Sequence, residues 1–167
     1  MKYLNITDCD IANGFGVRVT LYVSGCSHCC LQCHNPESWN PSNGVDFTSE
    51  TLDQLIKLLK RPYIDGLTLS GGDPLFMKNR DTIEKICKKV KEECPDKNIW
   101  LYTGFNIDQL LKMSNDSAIN DILDRIDVLV DGPFIKERSY KYNPEVDQKA
   151  WVGSDNQNII RMKKDRA

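Results

Sequence analysis

Ser24-Gly25-Cys26-Ser27-His28-Cys29-Cys30-Leu31-Gln32-Cys33-His34-Asn35 places four of the chain's seven cysteines within eight residues. The run before it, Phe15 to Val23, alternates cleanly. Phe15, Val17, Val19, Leu21 and Val23 fall on one face, and Arg18, Thr20 and Tyr22 on the other. Period two over nine residues rich in β-branched types predicts a strand that delivers the chain straight into the cysteine loop. Soft thiolates at gaps of two and three residues are what zinc or an iron–sulfur cluster requires.

Downstream, the same strand-to-loop pattern repeats. Asn35 to Phe47 carries Pro36, Pro41 and Gly44 and reads as irregular, with Trp39 as a packing anchor. Thr48 or Ser49 caps a helix whose stripe is Leu52, Leu55, Ile56 and Leu59, and Pro62 stops it. A strand at Gly66–Ser70 runs into Gly71-Gly72-Asp73-Pro74. A helix over Arg80 to Glu93 sets Ile83, Ile86, Cys87, Val90 and Cys94 on one face, so Cys87 and Cys94 read as buried hydrophobes. Asn98 to Thr103 is a third strand, ending at Gly104. Helical stretches near Ile107–Met113 and Ala118–Arg125 precede a fourth strand, Asp127–Asp131, which ends at Gly132-Pro133. Residues 1–14 read as polar, with Cys9 a lone thiol, and from Ile135 the tail is polar with a basic end.

Strands alternating with helices predict an α/β fold with a mainly parallel sheet and right-handed crossovers. Ligands in such folds bind at the carboxyl ends of the strands. The cysteine loop and the Gly71-Gly72-Asp73-Pro74 loop are therefore expected on one rim. At 167 residues the chain suits one domain, 1–167, with its core over about 10–160. A net charge of −2 gives no electrostatic reason to expect nucleic acid or an anionic membrane as partner. No apolar run approaches the roughly 18 residues of a membrane span, and no signal peptide is evident. A cytoplasmic protein is expected, in which seven cysteines do not form a disulfide framework.

Spacing alone leaves the metal open. Cys26, Cys29, Cys30 and Cys33 could close a four-thiolate zinc site, although the adjacent Cys29 and Cys30 would strain a tetrahedron. His28 and His34 could substitute, but the plainer reading of each is a bystander. The other set is Cys26-x3-Cys30-x2-Cys33, three thiolates on a four-iron cubane, which leaves one iron open for catalysis.

The cysteine triplet at the end of one strand, followed by Gly71-Gly72-Asp73-Pro74 at the end of the next, resembles the radical S-adenosylmethionine superfamily. More narrowly, five blocks are similar to the activating proteins of anaerobic ribonucleoside-triphosphate reductases. They are Val23 to Cys26, Cys33-His34-Asn35-Pro36-Glu37-Ser38-Trp39, Leu69 to Leu75, Trp100-Leu101-Tyr102-Thr103-Gly104-Phe105 and Val128 to Phe134. The likeness runs from about Asp10 to Ile160. It implies a compact partial (β/α) barrel of the radical S-adenosylmethionine type, helices outside, and an oxidoreductase.

The resemblance further implies that Cys26, Cys30 and Cys33 hold a [4Fe-4S] cluster whose fourth iron is chelated by S-adenosylmethionine. Gly71, Gly72, Asp73 and Pro74 would receive its ammonium, and Gln32, Cys33 and His34 would sit against its adenine. Many relatives carry an aromatic where this chain has Gln32, which leaves adenine packing to main chain or His34. An electron from a low-potential donor would cleave the sulfonium, and the resulting 5′-deoxyadenosyl radical would take a hydrogen atom from a glycine of the large reductase subunit. Thr103 and Asp131 close later strands, within reach of the cofactor's ribose or sulfonium on this resemblance, although the plainer role of such an aspartate is to cap the next segment. Two other readings compete. One is an activase of another glycyl-radical enzyme, like that of pyruvate formate-lyase, although those chains are usually longer and the Asp131-Gly132-Pro133-Phe134 block argues against it. The other is a non-catalytic zinc-binding adaptor.

Overall fold

Residues 1–139 and 150–162 are described by the computed structural model. In chain order the elements are β1 (Lys2–Asp10), β2 (Arg18–Val23), β3 (Val45–Asp46), α1 (Ser49–Leu59), β4 (Gly66–Gly71), α2 (Arg80–Glu93), β5 (Asn98–Tyr102), α3 (Ile107–Lys112), α4 (Ser117–Arg125), β6 (Val128–Asp131) and β7 (Asn158–Arg161). They form one sheet in the order β3-β1-β2-β4-β5-β6-β7.

The four strands expected from the sequence are the parallel centre: β2 pairs with β4, β4 with β5 and β5 with β6. Because they follow one another without reversal, right-handed crossovers carry their helices to a single face. The register puts Val19, Leu21, Leu67, Leu69, Ile99, Leu101 and Leu129 on that face. There they share a core with Leu55 and Leu59 of α1, Ile83, Ile86 and Cys87 of α2, and Ile119 and Ile122 of α4. Cys87 and Cys94 are buried, as their helical spacing predicts.

Antiparallel pairings of β1, β3 and β7 flank this parallel centre and make the sheet mixed. Residues 1–10, read from the sequence only as polar, form β1 against β2 and β3, and β7 pairs with β6. Lys-Tyr-Leu-Asn-Ile-Thr-Asp-Cys-Asp has no two-residue alternation, and its side chains are mostly half-buried, so pairing with β2 decides its conformation. The strand predicted over Phe15–Val23 begins at Arg18, and Phe15 is 71% exposed. No helix among the described residues is long and apolar enough to cross a membrane. Part of the polar tail, residues 140–149, and its basic end, 163–167, lie outside the described residues.

Thr48 is the cap of α1. Its side chain accepts the Thr51 N–H, and the Thr51 hydroxyl accepts the Thr48 N–H, both at 3.3 Å. Thr48→Ala is expected to lower stability by about 1 kcal/mol in urea titration, as loss of an N-cap does. An unchanged midpoint would mean that water replaces the cap.

Candidate active site

The chain leaves β2 at Val23, and its first loop residues are tied down at once. Gly25 N–H donates to the Ser38 carbonyl (2.7 Å) and Cys26 N–H to the Trp39 carbonyl (3.1 Å), closing the cysteine loop on itself. Trp39 is thus an anchor through its main chain. Inside the loop, Cys33 N–H donates to the Cys30 carbonyl (3.0 Å), and Cys29 and Gln32 hold left-handed backbones at φ +46° and +56°. Such conformations cost non-glycine residues roughly 1 kcal/mol or more and persist where the surroundings over-determine them.

The loop after β4 lies against this one. Gly72 N–H donates to the Val23 carbonyl (2.7 Å) and Asp73 N–H to the Gly25 carbonyl (2.8 Å). Gly71, at φ +101°, passes so close that a Cβ there would stand 2.6 Å from both Val23 N and O. A Cβ on Gly72 would stand 2.6 Å from Gly25 O. The two glycines therefore let two backbones meet, so the two loops do share a rim. Asn79, which the sequence reading did not single out, completes the joint: its Nδ2 donates to the Ser24 (2.9 Å) and Asp73 (3.0 Å) carbonyls. One of those bonds spans 55 residues of sequence, beyond any local pattern.

Asp73 is 1% exposed and its carboxylate is fully engaged. Oδ1 accepts from Leu75 N–H (2.8 Å), Oδ2 from Gly104 N–H (3.1 Å), and the Thr103 hydroxyl approaches both oxygens at 3.0 Å. His28 Nε2 lies 2.8 Å from Oδ2. The carboxylate thus fastens the β4 loop to the end of β5 and to the cysteine loop. Thr103 faces Asp73. Asp131, 1% exposed, caps α3 across the sheet: its Oδ2 accepts Ile107 N–H (2.8 Å) and its Oδ1 accepts from Asn158 of β7.

Beside the rim, on the sheet face away from the helices, opens a cleft of about 360 Å³. Cys33, His34, Ser70, Tyr102, Phe134 and Trp151 are among its walls. The His34 ring leans on Phe134 with centroids 4.9 Å apart. Gly71 borders an adjoining pocket with Asn35 and Tyr22, Gln32 is exposed, and Pro74 is buried.

Cys26, Cys30 and Cys33 are half-buried free thiols, whereas Cys29 is exposed. Burial pushes the Cys26 thiol up to about 11, with the His28 and Cys29 amides acting in the opposite direction. Burial also raises Cys30, against a lowering by the Phe134 amide. Asn35 N–H donates to Cys33 Sγ at 3.4 Å, the kind of contact that tunes an iron–sulfur cluster. Among the described residues no three His, Cys, Asp or Glu side chains are grouped as ligands of one ion. A cubane takes each thiolate on a different iron and so asks for sulfurs spread around it. Three such thiols on one loop fit that group, and loading it would release the protons that burial retains.

An α/β scaffold bearing these thiols at a strand end defines an iron–sulfur domain, and the family described as a 4Fe-4S single cluster domain matches residues 12–160. The chain is 45% identical over 165 residues to the anaerobic ribonucleoside-triphosphate reductase-activating protein of Haemophilus influenzae, covering 98% of this chain and 99% of that one. Proteins of the same name from Enterobacteria phage T4 and Escherichia coli K12 are 40% and 38% identical, with 95% and 98% of this chain and 93% and 100% of theirs covered. The chain belongs to the family of anaerobic ribonucleoside-triphosphate reductase-activating proteins.

Proposed function

We propose that this protein is a radical S-adenosylmethionine enzyme that activates an anaerobic ribonucleoside-triphosphate reductase, with Cys26, Cys30 and Cys33 holding a [4Fe-4S] cluster. The observation that carries the reading is the joint between the cysteine loop and Gly71-Gly72-Asp73, made by main-chain bonds of 2.7 and 2.8 Å. When bound, the cluster and S-adenosylmethionine supply one-electron cleavage of a sulfonium and, through it, hydrogen-atom abstraction from a glycine of the reductase.

The protein's share is binding, orientation and exclusion of water. Carbonyl groups of the Gly71-Gly72 turn are the acceptors for the ammonium, and Asp73 acts by holding that turn, since protein donors occupy its oxygens. His34, backed by Phe134, and the main chain of Gln32 and Cys33 form the adenine side. The cleft bounded by Tyr102 and Trp151 is the approach for the reductase glycine. Exposed Cys29 and Leu31 lie on the outer side of the cysteine loop, where a low-potential electron donor would come near. The sheet, open at β3 and β7, is on this reading the partial barrel of the superfamily. The protein works in the cytoplasm, where its thiols stay reduced.

Protein reconstituted anaerobically with iron and sulfide, then given dithionite, S-adenosylmethionine and the reductase, is expected to release methionine and 5′-deoxyadenosine in equal amounts. A glycyl-radical signal should appear in the reductase by electron paramagnetic resonance. Tight zinc without iron uptake, or iron without cleavage while the reductase is present, would overturn the proposal.

A further inference from the structure

The cleft beside the rim has two unlike sides. One is the cysteine loop, with Cys33 and His34, and another is the short run Trp151-Val152-Gly153. That run is clamped at both ends. The Tyr102 hydroxyl donates to the Trp151 carbonyl (3.0 Å), and Gln157 Oε1 accepts the N–H groups of Gly153 (2.8 Å) and Ser154 (3.1 Å). Gln157 Nε2 in turn donates to the Gly132 carbonyl (3.0 Å), which ties the run to the loop after β6. The Trp151 ring stands edge-on to Trp100 and to Phe15, with centroids 5.6 and 6.2 Å apart, and its backbone is left-handed at φ +70°. A non-glycine residue keeps that conformation where its surroundings over-determine it.

Between the clamps, Val152 is half-buried and packs against the cluster of Trp100, Val128 and Val130. Among the described residues, neither its N–H nor its carbonyl makes a hydrogen bond. Main-chain groups away from water are normally paired, so a donor and an acceptor stand uncommitted on a rigid wall of the cleft. The described walls hold no Asp, Glu, Lys or Arg, in a chain that is 28% charged. An uncharged cleft with an unpaired N–H and C=O suits a stretch of peptide main chain.

We infer that the main chain of Val152 is the docking strip for the glycine-bearing segment of the reductase, the two pairing as a strand edge pairs with an added peptide. The inference rests on the function proposed above and adds to it the contact that holds the substrate segment. A glycine in that segment has no Cβ to keep the two backbones apart. Gln157 and Tyr102 are positioning residues, since they act by holding the strip.

The test follows glycyl-radical formation by electron paramagnetic resonance as the concentration of whole reductase is varied, using reconstituted wild type, Gln157→Met and Tyr102→Phe. Each substitution nearly keeps the side-chain volume and removes one clamp. In both variants the half-saturating reductase concentration should rise roughly three- to tenfold, the effect of a lost hydrogen bond or two, while iron content and the maximal rate match the wild type. In a second arm, a synthetic peptide spanning the reductase glycine should bind the reconstituted wild type in isothermal titration. N-methylation of one of its amides should weaken that binding about tenfold. Unchanged half-saturation in both variants, or a fall in maximal rate alone, would overturn the inference. So would a parent peptide that does not bind, or a series in which every singly N-methylated peptide binds as the parent does. Where a variant fails to fold, the peptide series on the wild type decides. A wild type that forms no glycyl radical with its cluster loaded would instead overturn the function proposed above.

Discussion

Cys26→Ala, Cys30→Ala and Cys33→Ala are each expected to lose the cluster on anaerobic reconstitution, whereas Cys29→Ala keeps about four irons per chain. The contrast follows from where the four sulfurs lie. Cys26, Cys30 and Cys33 are half-buried, and Cys33 Sγ accepts the Asn35 N–H. Cys29 is exposed and sits at φ +46°. Its thiol is thus more open to solvent than the other three. Deleting one of three thiolates leaves an iron without a protein ligand in addition to the one meant to be open, which is the state in which clusters are lost. Iron and sulfide analysis, with the brown colour of the cluster, reads the outcome. Loss in Cys29→Ala with retention in Cys30→Ala would reassign the ligand set, and with it the family spacing.

Arg18→Ala is expected to lower stability by about 3–5 kcal/mol, a large share of the roughly 5–15 kcal/mol that holds a domain together. Arg18 is fully buried on the sheet face opposite the helices. Nε donates to the Thr68 hydroxyl (2.6 Å), one terminal nitrogen to the Phe15 carbonyl (2.9 Å) and the other to the Leu67 carbonyl (2.7 Å). The guanidinium also stands 5.4 Å from the centre of the Trp100 ring. Burial lowers its pKa to about 10, so it remains charged at neutral pH. Truncation to alanine leaves buried acceptors unmatched and opens a cavity beneath Trp100, which packs with Trp151 at the cleft. Arg18→Met fills that volume and removes a charge that is costly to desolvate, so it should lose about half as much. Urea denaturation gives both numbers. Equal losses in the two variants would show that the hydrogen bonds, and not the volume, carry the effect, and no loss in either would discard the argument.

Arg18 also shows where reading the sequence stops. Alternation sets Arg18, Thr20 and Tyr22 on the polar side of their strand, which suggests solvent. Arg18 and Thr20 are instead wholly buried, and Arg18 is covered by the segment bearing Asn13 and Phe15 and by Trp100, on which Trp151 packs. Alternation reports which face a residue takes and says nothing of what covers the face. The same limit explains β1 and β7. Their sequences lack a periodic apolar signal, and they become strands by pairing with β2 and β6, whose nearer ends are 8 and 27 residues away.

By itself the sequence determined the four parallel strands, the helices between them and the loop that carries the thiols, since hydrophobic period, caps and glycine turns are local properties of the chain. It also placed Gly71-Gly72-Asp73-Pro74 at a strand end. Only the tertiary structure decided what those residues touch. The glycines admit the backbone of the cysteine loop, Asp73 spends its oxygens on Leu75, Thr103 and Gly104, and Asn79 fastens the two loops. His28, a bystander on spacing alone, meets Asp73 across 45 residues of chain. The reason is physical: hydrogen bonds and charge contacts between strand ends are fixed by sheet order and register, which join residues that no local pattern relates.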